Sequence, residues 1–320
     1  MVRLSGFSIE AVFGCVPART TDNFTVTAAL AGDEKAKAIV QATGFPVRRS
    51  VERGVDVLDL MRPAAERALD GIARDEVGGV VAVSFSAPER FPSLAARLQR
   101  DLGLPRTVAA LDLGMACSGY PYGLMVAGQL AATSGRHVLL VDGDVQSAHV
   151  DVGDVATLAV MSDAATATLV APTGGVSHFS FLTDGSQGDV LRCPAAGPIH
   201  MNGFGVFRFV AADVTTFLRE FMAATGDSPD FFVPHQANMY MVRQLASSLG
   251  LSDRLLSSGP SFANPGSCSV PLALAAGGFP GDANGVRDFN LLLAAFGAGL
   301  SASAARMDVS SGMRRGVVEI

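Results

Sequence analysis

The chain has 320 residues, 49% of them hydrophobic and 17% charged, so it can bury a large core as one big domain or two closely packed halves. Its net charge of −6, without a basic tail or long charge run, argues against nucleic-acid binding. No run of about 20 uninterrupted apolar residues predicts a membrane span, and the amino-terminal segment lacks the pattern of a signal peptide. Four widely spaced cysteines without metal-site spacing are typical of a reduced protein: Cys15, Cys117, Cys193 and Cys268. We therefore expect a cytoplasmic protein.

Strand-like and helix-like segments alternate along the chain, which favours an α/β fold. In the first half, the predicted strands are 77–86, 107–114, 137–145 and 166–172, and the predicted helices are 90–104 and 117–135. In the second half, the predicted strands are 176–185, 230–238 and two within 290–309, and the predicted helices are 204–226 and 239–250. The helix at 117–135 is almost wholly apolar, which indicates burial on all sides. We therefore predict two similar halves, 1–172 and 173–320, each with strands around a buried helix.

Cys117 lies where a predicted strand ends and the buried helix begins. A thiol at a helix N-terminus meets the positive end of the helix dipole and free backbone N–H groups, which favour the nucleophilic thiolate. Gly114 and Gly119 on either side allow a tight turn and close approach of a substrate. A free cysteine is equally typical of a small core residue, so the local context alone leaves both interpretations open.

Two further residues have settings compatible with chemistry. His235 ends an apolar strand in VPHQAN, where α/β folds often place catalytic side chains. An imidazole there could act as base, acid or hydrogen-bond donor, although a structural histidine fits as well. Asn264 lies in a Gly/Ser/Pro-rich loop before a small-residue helix, where asparagine is commonly a turn residue or helix cap. The remaining histidines lack such settings and are interpreted as structural or surface residues: His137, His149, His178 and His200.

Three short runs follow one another in a fixed order: ACSG at Cys117, PHQAN at His235, and a loop asparagine, Asn264, followed by SCSVPLAL. Together they resemble the ketoacyl synthase III branch of the thiolase superfamily. Four further runs agree with that family: TGFPVRR (43–49), RFPS (90–93), MNGFGVFRFV (201–210) and AAFGAGL (294–300). The resemblance covers nearly the whole chain in collinear order.

The resemblance implies the thiolase-like five-layered αβαβα fold and a homodimer. It assigns Cys117 as the nucleophile that carries an acyl group as a thioester. His235 and Asn264 would donate hydrogen bonds to the carbonyl of a malonyl thioester as charge builds there during decarboxylation. The backbone of Cys117 and of the turn with Gly297 and Gly299 would form the oxyanion hole. The substrates would be thioesters of CoA or of an acyl carrier protein, and no metal or other cofactor is implied.

The same resemblance assigns a substrate tunnel and its entrance. Phe91 would close the acyl tunnel of the partner subunit, and we expect Phe204 and Phe207 to line the tunnel. Tyr120 and Tyr122 could line it too, although aromatic residues in such runs are more often core residues. At the entrance for CoA or the carrier protein we place three residues of the predicted helix and its start: Asn238, Tyr240 and Arg243.

Several departures from the family pattern concern substrate delivery. The chain has no Trp, and Ala38 stands near the position of the family's adenine-stacking tryptophan. Ala148 and His149 stand where a partner arginine is expected, and Tyr240 replaces a carrier-binding arginine for which Arg243 on the same helix face could substitute. The family's FGDGAGA reads MSDAATA (161–167), and Ala298 interrupts its AFGGG turn. We therefore expect a specialised member in a secondary pathway, supplied by a carrier protein or an unusual CoA ester.

Three alternatives stay open from the sequence. The acyl group could pass from Cys117 to an oxygen or nitrogen acceptor without decarboxylation. The chain could be a non-catalytic subunit of a heteromeric complex, although such subunits usually lose catalytic residues. A hydrolase could use the same cysteine and histidine.

Overall fold

The computed structural model describes residues 1–226, 228–277, 279 and 288–320. The strands are β1 (Val2–Ser5), β2 (Ser8–Val16), β3 (Thr20–Asp22), β4 (Val47–Arg49), β5 (Val77–Val83), β6 (Ala109–Leu113), β7 (His137–Asp144), β8 (Ala164–Ala171), β9 (Val176–Thr183), β10 (Leu191–Arg192), β11 (His200–Met201), β12 (Phe231–Pro234), β13 (Phe289–Gly297), β14 (Ser301–Val309) and β15 (Arg314–Glu319). The α-helices are α1 (Asn23–Ala31), α2 (Asp33–Thr43), α3 (Val57–Ala68), α4 (Leu94–Asp101), α5 (Gly119–Ser134), α6 (Val155–Leu158), α7 (Gly203–Phe209), α8 (Thr215–Thr225), α9 (Met239–Ser248), α10 (Gly259–Phe262) and α11 (Ser269–Ala276).

Two large mixed sheets organise the chain. The first has the strand order β15-β2-β8-β7-β5-β6, and the second has the order β1-β9-β14-β13-β12. The boundary expected at 172/173 falls between β8 and β9, which belong to different sheets. However, β1 pairs with β9 of the second sheet and β15 pairs with β2 of the first. The two halves therefore exchange their terminal strands, so the ranges 1–172 and 173–320 differ from the two sheets at both ends of the chain.

The three largest apolar clusters join five layers. One cluster joins α3 and α4 to one face of the first sheet. A second contains α5 and α11 between the two sheets, and a third joins α7, α8 and α9 to the far face of the second sheet. Alternation along β7 explains how one strand serves two layers, because Val138 and Leu140 face the central layer while Leu139 and Val141 face the outer one. The expected thiolase-like αβαβα fold is thereby confirmed.

The central helix α5 is packed closely against both sheets, as its apolar sequence predicts. A Cβ atom on Gly123 would lie 2.6 Å from a methyl carbon of Leu140, and one on Gly128 would lie within 2.8 Å of the Phe7 ring. Glycine is therefore required at both positions for the helix to approach the strands this closely. This packing fixes the start of α5, and with it the segment that carries Cys117.

Most predicted elements are confirmed, with shorter boundaries. The predicted helix at 90–104 is wrong over its first four residues, because Ser93 caps α4 and the chain before it is irregular. The predicted strand at 230–238 ends at Pro234, and Gly297 belongs to β13 rather than to the following turn. The predicted helix at 204–226 is α7 and α8 joined by a π-helical turn, Val210–Val214. Among the described residues, no helix is both long and apolar enough to cross a membrane.

Candidate active site

Cys117 lies between the end of β6 and the start of α5, and only 7% of its surface is exposed. Gly297, the last residue of β13, lies against it, because a Cβ atom there would be 2.7 Å from the Cβ of Cys117. The neighbouring Ser118 links this segment to β14. Its Oγ lies 2.7 Å from Ser301 Oγ, and its carbonyl oxygen accepts a hydrogen bond from Ser303 Oγ. Elements from both halves of the chain therefore hold the candidate nucleophile.

The environment of Cys117 opposes ionisation of the thiol. Burial raises the pKa of Cys117 from its usual 9.0 to about 12, and the nearby Asp144 carboxylate contributes to the rise. This shift corresponds to about 4 kcal/mol against the thiolate, whereas a helix N-terminus typically stabilises an anion by about 0.3–1 kcal/mol. The sequence-based expectation of a resting thiolate is therefore outweighed by burial, and the thiol is the form at neutral pH.

His235 directly follows β12 and is held on three sides. Its backbone N–H donates to Ala294 of β13, its ring packs edge-on against Phe296 at 5.2 Å, and its Nδ1 lies 2.5 Å from Ser269 Oγ. The side chain is 2% exposed, and burial lowers the pKa of His235 to about 3. The imidazole is therefore neutral at physiological pH. If Ser269 donates to Nδ1, the ring proton lies on Nε2 and is available to a substrate.

Asn264 is fixed by backbone contacts that leave its amide group free. Its Oδ1 accepts from the Gly266 N–H at 3.0 Å, and its carbonyl oxygen accepts from Gln146 Nε2 at 2.6 Å. Its backbone N–H donates to Val160 at 3.0 Å. Within the described residues, Nδ2 has no hydrogen-bond acceptor, and the side chain is 5% exposed. A positioned amide donor is therefore available.

Two cavities meet at Cys117. The smaller one, of about 160 Å³, is lined by Cys117, His235 and Asn264 together with Asn238 and Gly297. The larger one, of about 670 Å³, is lined by Cys117, Tyr122 and Gly299 on its inner side and opens towards the surface at exposed residues. The structure thus brings the three predicted catalytic residues together around one space. It also gives the cysteine access to a second space.

The predicted oxyanion-hole residues lie on both sides of the cysteine. Gly297 lines the smaller cavity and Gly299 the larger one. Gly299 has φ +141°, a conformation that residues with a side chain rarely adopt. The turn between β13 and β14 therefore presents backbone next to the thiol, as an oxyanion hole requires.

The predicted tunnel residues do not line either cavity, although chain neighbours of each do. Phe91 is 84% exposed and Phe204 is 77% exposed, while Phe207 is half-buried and stacks on Tyr240 with a centroid distance of 6.1 Å. None of the three lines either cavity within the chain itself. The residues that line the larger cavity near Cys117 are Met161, Leu191 and Tyr122, of which only Tyr122 is a tunnel candidate in the sequence, whereas Tyr120 lines neither cavity.

The predicted entrance residues surround the start of α9. Asn238 caps this helix by accepting from the Met241 N–H at 2.8 Å, and it lines the smaller cavity. Tyr240 is 54% exposed and Arg243 is exposed one turn of helix away. The surface beside the smaller cavity thus combines an aromatic ring with a cation.

Buried polar residues beneath the site escaped the sequence analysis. Asp144 accepts hydrogen bonds from Ser267 Oγ at 2.8 Å and from the Phe85 N–H at 3.0 Å, and its pKa is raised to about 6 mainly by burial. Asp142 is fully buried without a hydrogen-bond partner for either oxygen, and burial raises its pKa well above the usual value. In the sequence, an aspartate within an apolar strand such as β7 indicates a buried acidic group of this kind. Among the described residues, no cluster of His, Cys, Asp and Glu could hold a metal ion.

Comparisons with known proteins show the family to which the chain belongs. Residues 111–185 match the family model of 3-oxoacyl-[acyl-carrier-protein (ACP)] synthase III, and residues 222–309 match the model of its C-terminal part. The chain is an enzyme of the 3-oxoacyl-[acyl-carrier-protein] synthase III family, within the thiolase superfamily.

Particular relatives support the same assignment. The chain is 34% identical to beta-ketoacyl-[acyl-carrier-protein] synthase III 2 of Streptomyces coelicolor over 310 residues, which covers 93% of this chain and 92% of that protein. A 3-oxoacyl-(acyl-carrier protein) synthase structure from Burkholderia xenovorans has a TM-score of 0.93 at 27% identity, covering 100% of this chain and 98% of that one. The structure of the priming beta-ketosynthase from the R1128 polyketide biosynthetic pathway has a TM-score of 0.85 at 25% identity, covering 96% of this chain and 97% of that one.

Proposed function

We propose that this enzyme catalyses a decarboxylative Claisen condensation between an acyl group carried on Cys117 and a malonyl thioester. The observation that carries the proposal is the cavity shared by Cys117, His235 and Asn264. It combines a nucleophile with a neutral imidazole and an unpaired amide donor, which is the set that an enolate formed by decarboxylation requires.

In the first step, the Cys117 sulfur attacks the carbonyl carbon of an acyl thioester. Backbone N–H groups of Cys117 and of the Gly297–Gly299 turn stabilise the oxyanion. The thiolate of CoA or of the carrier then leaves and takes up the proton that Cys117 loses. Because burial raises the pKa of Cys117 to about 12, this proton leaves as the thiol attacks, and no net acid or base is consumed.

In the second step, a malonyl thioester replaces the departed thiol. Its carboxylate leaves as carbon dioxide, and negative charge moves to the thioester oxygen, where His235 Nε2–H and Asn264 Nδ2–H donate hydrogen bonds. The carbanion attacks the acyl group on Cys117, a carbon–carbon bond forms, and the cysteine leaves as a thiolate that takes up one proton. A neutral histidine suits this role, since the low pKa of His235, about 3, keeps it as a hydrogen-bond donor rather than a cation.

Substrate delivery is part of the proposal. An acyl carrier protein would dock at Tyr240 and Arg243, because an exposed arginine complements an acidic carrier. The chain would act as a homodimer in which Phe91 closes the partner's tunnel, as the resemblance implies, and the side chain is 84% exposed in the single chain and so accessible to a partner. We further propose a specialised, secondary-metabolite pathway, a cytoplasmic location and no metal or other cofactor.

The second candidate function is acyl transfer from Cys117 to an oxygen or nitrogen acceptor without decarboxylation. The larger cavity supports this second function, because its exposed end could admit a small acceptor to the acyl-cysteine. Such a reaction would need the cysteine but not the amide donor of Asn264.

Asn264 therefore separates the two functions. We expect Asn264→Ala to lower malonyl-dependent product by about 100-fold or more, the usual loss for one such donor, while acylation of Cys117, followed by intact mass, persists. Asn264→Asp is the matched variant, because it keeps an acceptor for the Gly266 N–H and replaces the amide donor with a carboxyl group.

The results of these assays distinguish condensation, acyl transfer and hydrolysis. Full malonyl-dependent activity in both variants would contradict the condensation mechanism. Acyl transfer to a hydroxyl or amine acceptor without release of carbon dioxide would support the second function. Loss of the acyl group to water in the absence of any acceptor would indicate a hydrolase.

A further inference from the structure

The larger cavity has a charge pattern unsuited to a plain alkyl chain. Its lining includes Arg90, Arg192 and the imidazole of His149, and none of the residues that line it is acidic. Arg90 and Arg192 are both exposed and lie at its outer part. A cavity built only to hold a hydrocarbon would gain nothing from two arginines.

The arginines are available to a ligand. The Nε of Arg192 lies 3.8 Å from the carboxylate of Asp189, and the two side chains are 51% and 103% exposed. A surface pair at this distance contributes about 0–1 kcal/mol, so a better-placed anion can displace it. Arg90 makes no ion pair with any described residue, while Arg97 nearby pairs with Glu89.

The cavity wall is also polar near the reacting centre. Both Nε2 hydrogens of the buried Gln146 are used, by the carbonyl oxygens of Ser162 and Asn264 at 2.8 and 2.6 Å. Its Oε1 has no donor among the described residues. Tyr122 contributes a hydroxyl that lies 3.5 Å from Thr183 Oγ1. Polar groups therefore line the path between Cys117 and the arginines.

The order of lining residues along the cavity indicates which part of a substrate reaches the arginines. Cys117, Met161 and Leu191 line both cavities and therefore mark their junction. Arg90, His149 and Arg192 line only the larger cavity. The donors for the thioester, His235 and Asn264, line only the smaller one. An acyl group on Cys117 thus extends past an apolar junction towards the cationic outer end.

We propose that the primer accepted by this enzyme is an acyl group with an anionic far end, such as a terminal carboxylate, that Arg192 and Arg90 bind while the acyl carbon is on Cys117. This inference rests on the proposed function, since it names the substrate class of the same cysteine. The carboxylate would form charge-assisted hydrogen bonds with the guanidinium groups.

A phosphate of CoA or of the carrier's pantetheine arm has the same charge and is the alternative source of an anion. The primer is favoured because the thioester arm needs to lie where His235 and Asn264 can reach its carbonyl in the second step, which is on the other side of Cys117. Substrates without phosphate distinguish the two sources.

The experiment compares acyl groups of equal length with and without a terminal carboxylate: butyryl against succinyl, and hexanoyl against adipoyl. Each is supplied both as the CoA thioester and as the N-acetylcysteamine thioester, which has no phosphate. The rate of acylation of Cys117 is followed by intact mass. We expect the carboxylate-bearing member to react about tenfold faster or more on both carriers, a gain in the range of one charge-assisted hydrogen bond.

Arg192→Gln should lower the acylation rate with the succinyl and adipoyl thioesters and so reduce this preference on both carriers. Arg62→Gln is the matched control, because Arg62 is also partly exposed and pairs with an aspartate three residues away, Asp59, but lines neither cavity. It should keep the preference.

Two results would overturn the proposal while the proposed function stands. One is faster acylation by the neutral chains. The other is a dependence on Arg192 seen only with CoA thioesters, whatever the acyl group, which would assign the arginines to phosphate. If no thioester of either kind acylates Cys117, the proposed function itself fails.

Discussion

The two cavities that meet at Cys117 differ in how deeply their lining residues are buried and how firmly these residues are held by contacts within the chain. In the smaller cavity, His235 and Asn264 are nearly fully buried and each is fixed by backbone contacts. In the larger cavity, the outer lining is exposed, and its arginines are held by a weak ion pair or by none. A rigid, enclosed site suits a reaction common to a family, whereas an adaptable outer cavity suits selection among acyl groups.

The same contrast appears in the sequence. The motifs around the smaller cavity match the family closely, and the departures fall on substrate delivery. The reaction and the choice of primer can therefore vary independently, and substitutions should separate them.

The largest expected effect comes from removing the nucleophile. Cys117→Ala should abolish acylation and lower condensation by about 1,000-fold or more. It should retain release of carbon dioxide from a malonyl thioester, because His235 and Asn264 stay in place. Product formation and release of labelled carbon dioxide from the same reaction would measure both. Loss of both activities in a folded variant would mean that the smaller cavity does not work independently of the cysteine.

Gly297→Ala should impair both steps, since the added Cβ would lie 2.7 Å from the Cβ of Cys117 and would displace it. A displacement of about 1 Å can lower a rate by about 100-fold, and we expect such a loss in both acylation and condensation. Gly175→Ala is the control, because a Cβ atom there meets no atom within 4 Å. An unaffected acylation rate in Gly297→Ala would contradict the close contact.

The sequence predicts the features of this site that depend on residues close together in the chain better than those that depend on residues far apart. Local motifs place Cys117, His235 and Asn264, and short apolar runs locate strands such as β5 and β7. The exchange of β1 and β15 between the sheets depends on pairing between residues far apart, such as Val2 with Phe179 and Val318 with Cys15. No local pattern encodes that pairing.

Ionisation is a second property that local sequence could not give. The pattern at Cys117 favours a thiolate, but burial raises its pKa, and Gly297 of the other half of the chain lies directly against it. The contact between Ser269 and His235 likewise joins residues separated by 34 positions. Both features belong to the assembled core and not to any single motif.

Ser269 offers a smaller, more specific test of the smaller cavity. If its hydroxyl holds the proton of His235 on Nε2, Ser269→Ala should slow malonyl decarboxylation about tenfold, the value of one hydrogen bond of about 1.4 kcal/mol. Acylation of Cys117 should change little. Ser269→Thr, which keeps a hydroxyl, should restore decarboxylation where the fold accommodates the extra methyl group.

The control for Ser269 is Ser267→Ala. Ser267 is equally buried in the same segment, but its hydroxyl donates to Asp144. Both variants lose a buried hydrogen bond, so a purely structural effect would lower acylation and decarboxylation alike in each. A change in the ratio of the two rates in Ser269→Ala alone supports the tautomer role, and an unchanged ratio contradicts it.

The smallest expected effect concerns the stability of the core beneath both cavities. Asp142 is fully buried without a hydrogen bond, and its pKa is raised well above the usual 3.8, mainly by burial and then by Asp144. A group whose folded-state pKa is raised binds its proton more tightly in the folded chain. Its contribution to stability is therefore largest at low pH and falls as the pH rises above about 3.8. Asp144 acts in the same direction between about 3.8 and about 6.

Asp142→Asn should remove the loss of stability that Asp142 causes as the pH rises. The amide stays neutral at every pH and keeps the size of the side chain. We expect the free energy of unfolding to exceed that of the unaltered protein by about 1–2 kcal/mol at pH 8, and the difference to shrink towards pH 5. Denaturant titrations at the two pH values would measure it, with the exposed Asp253→Asn as control. Equal gains at both pH values would mean that Asp142 is not protonated in the folded chain. Asp142 lines neither cavity, so the acylation rate of Cys117 should be unchanged in the more stable variant, and a lower rate would mean that Asp142 also supports the site.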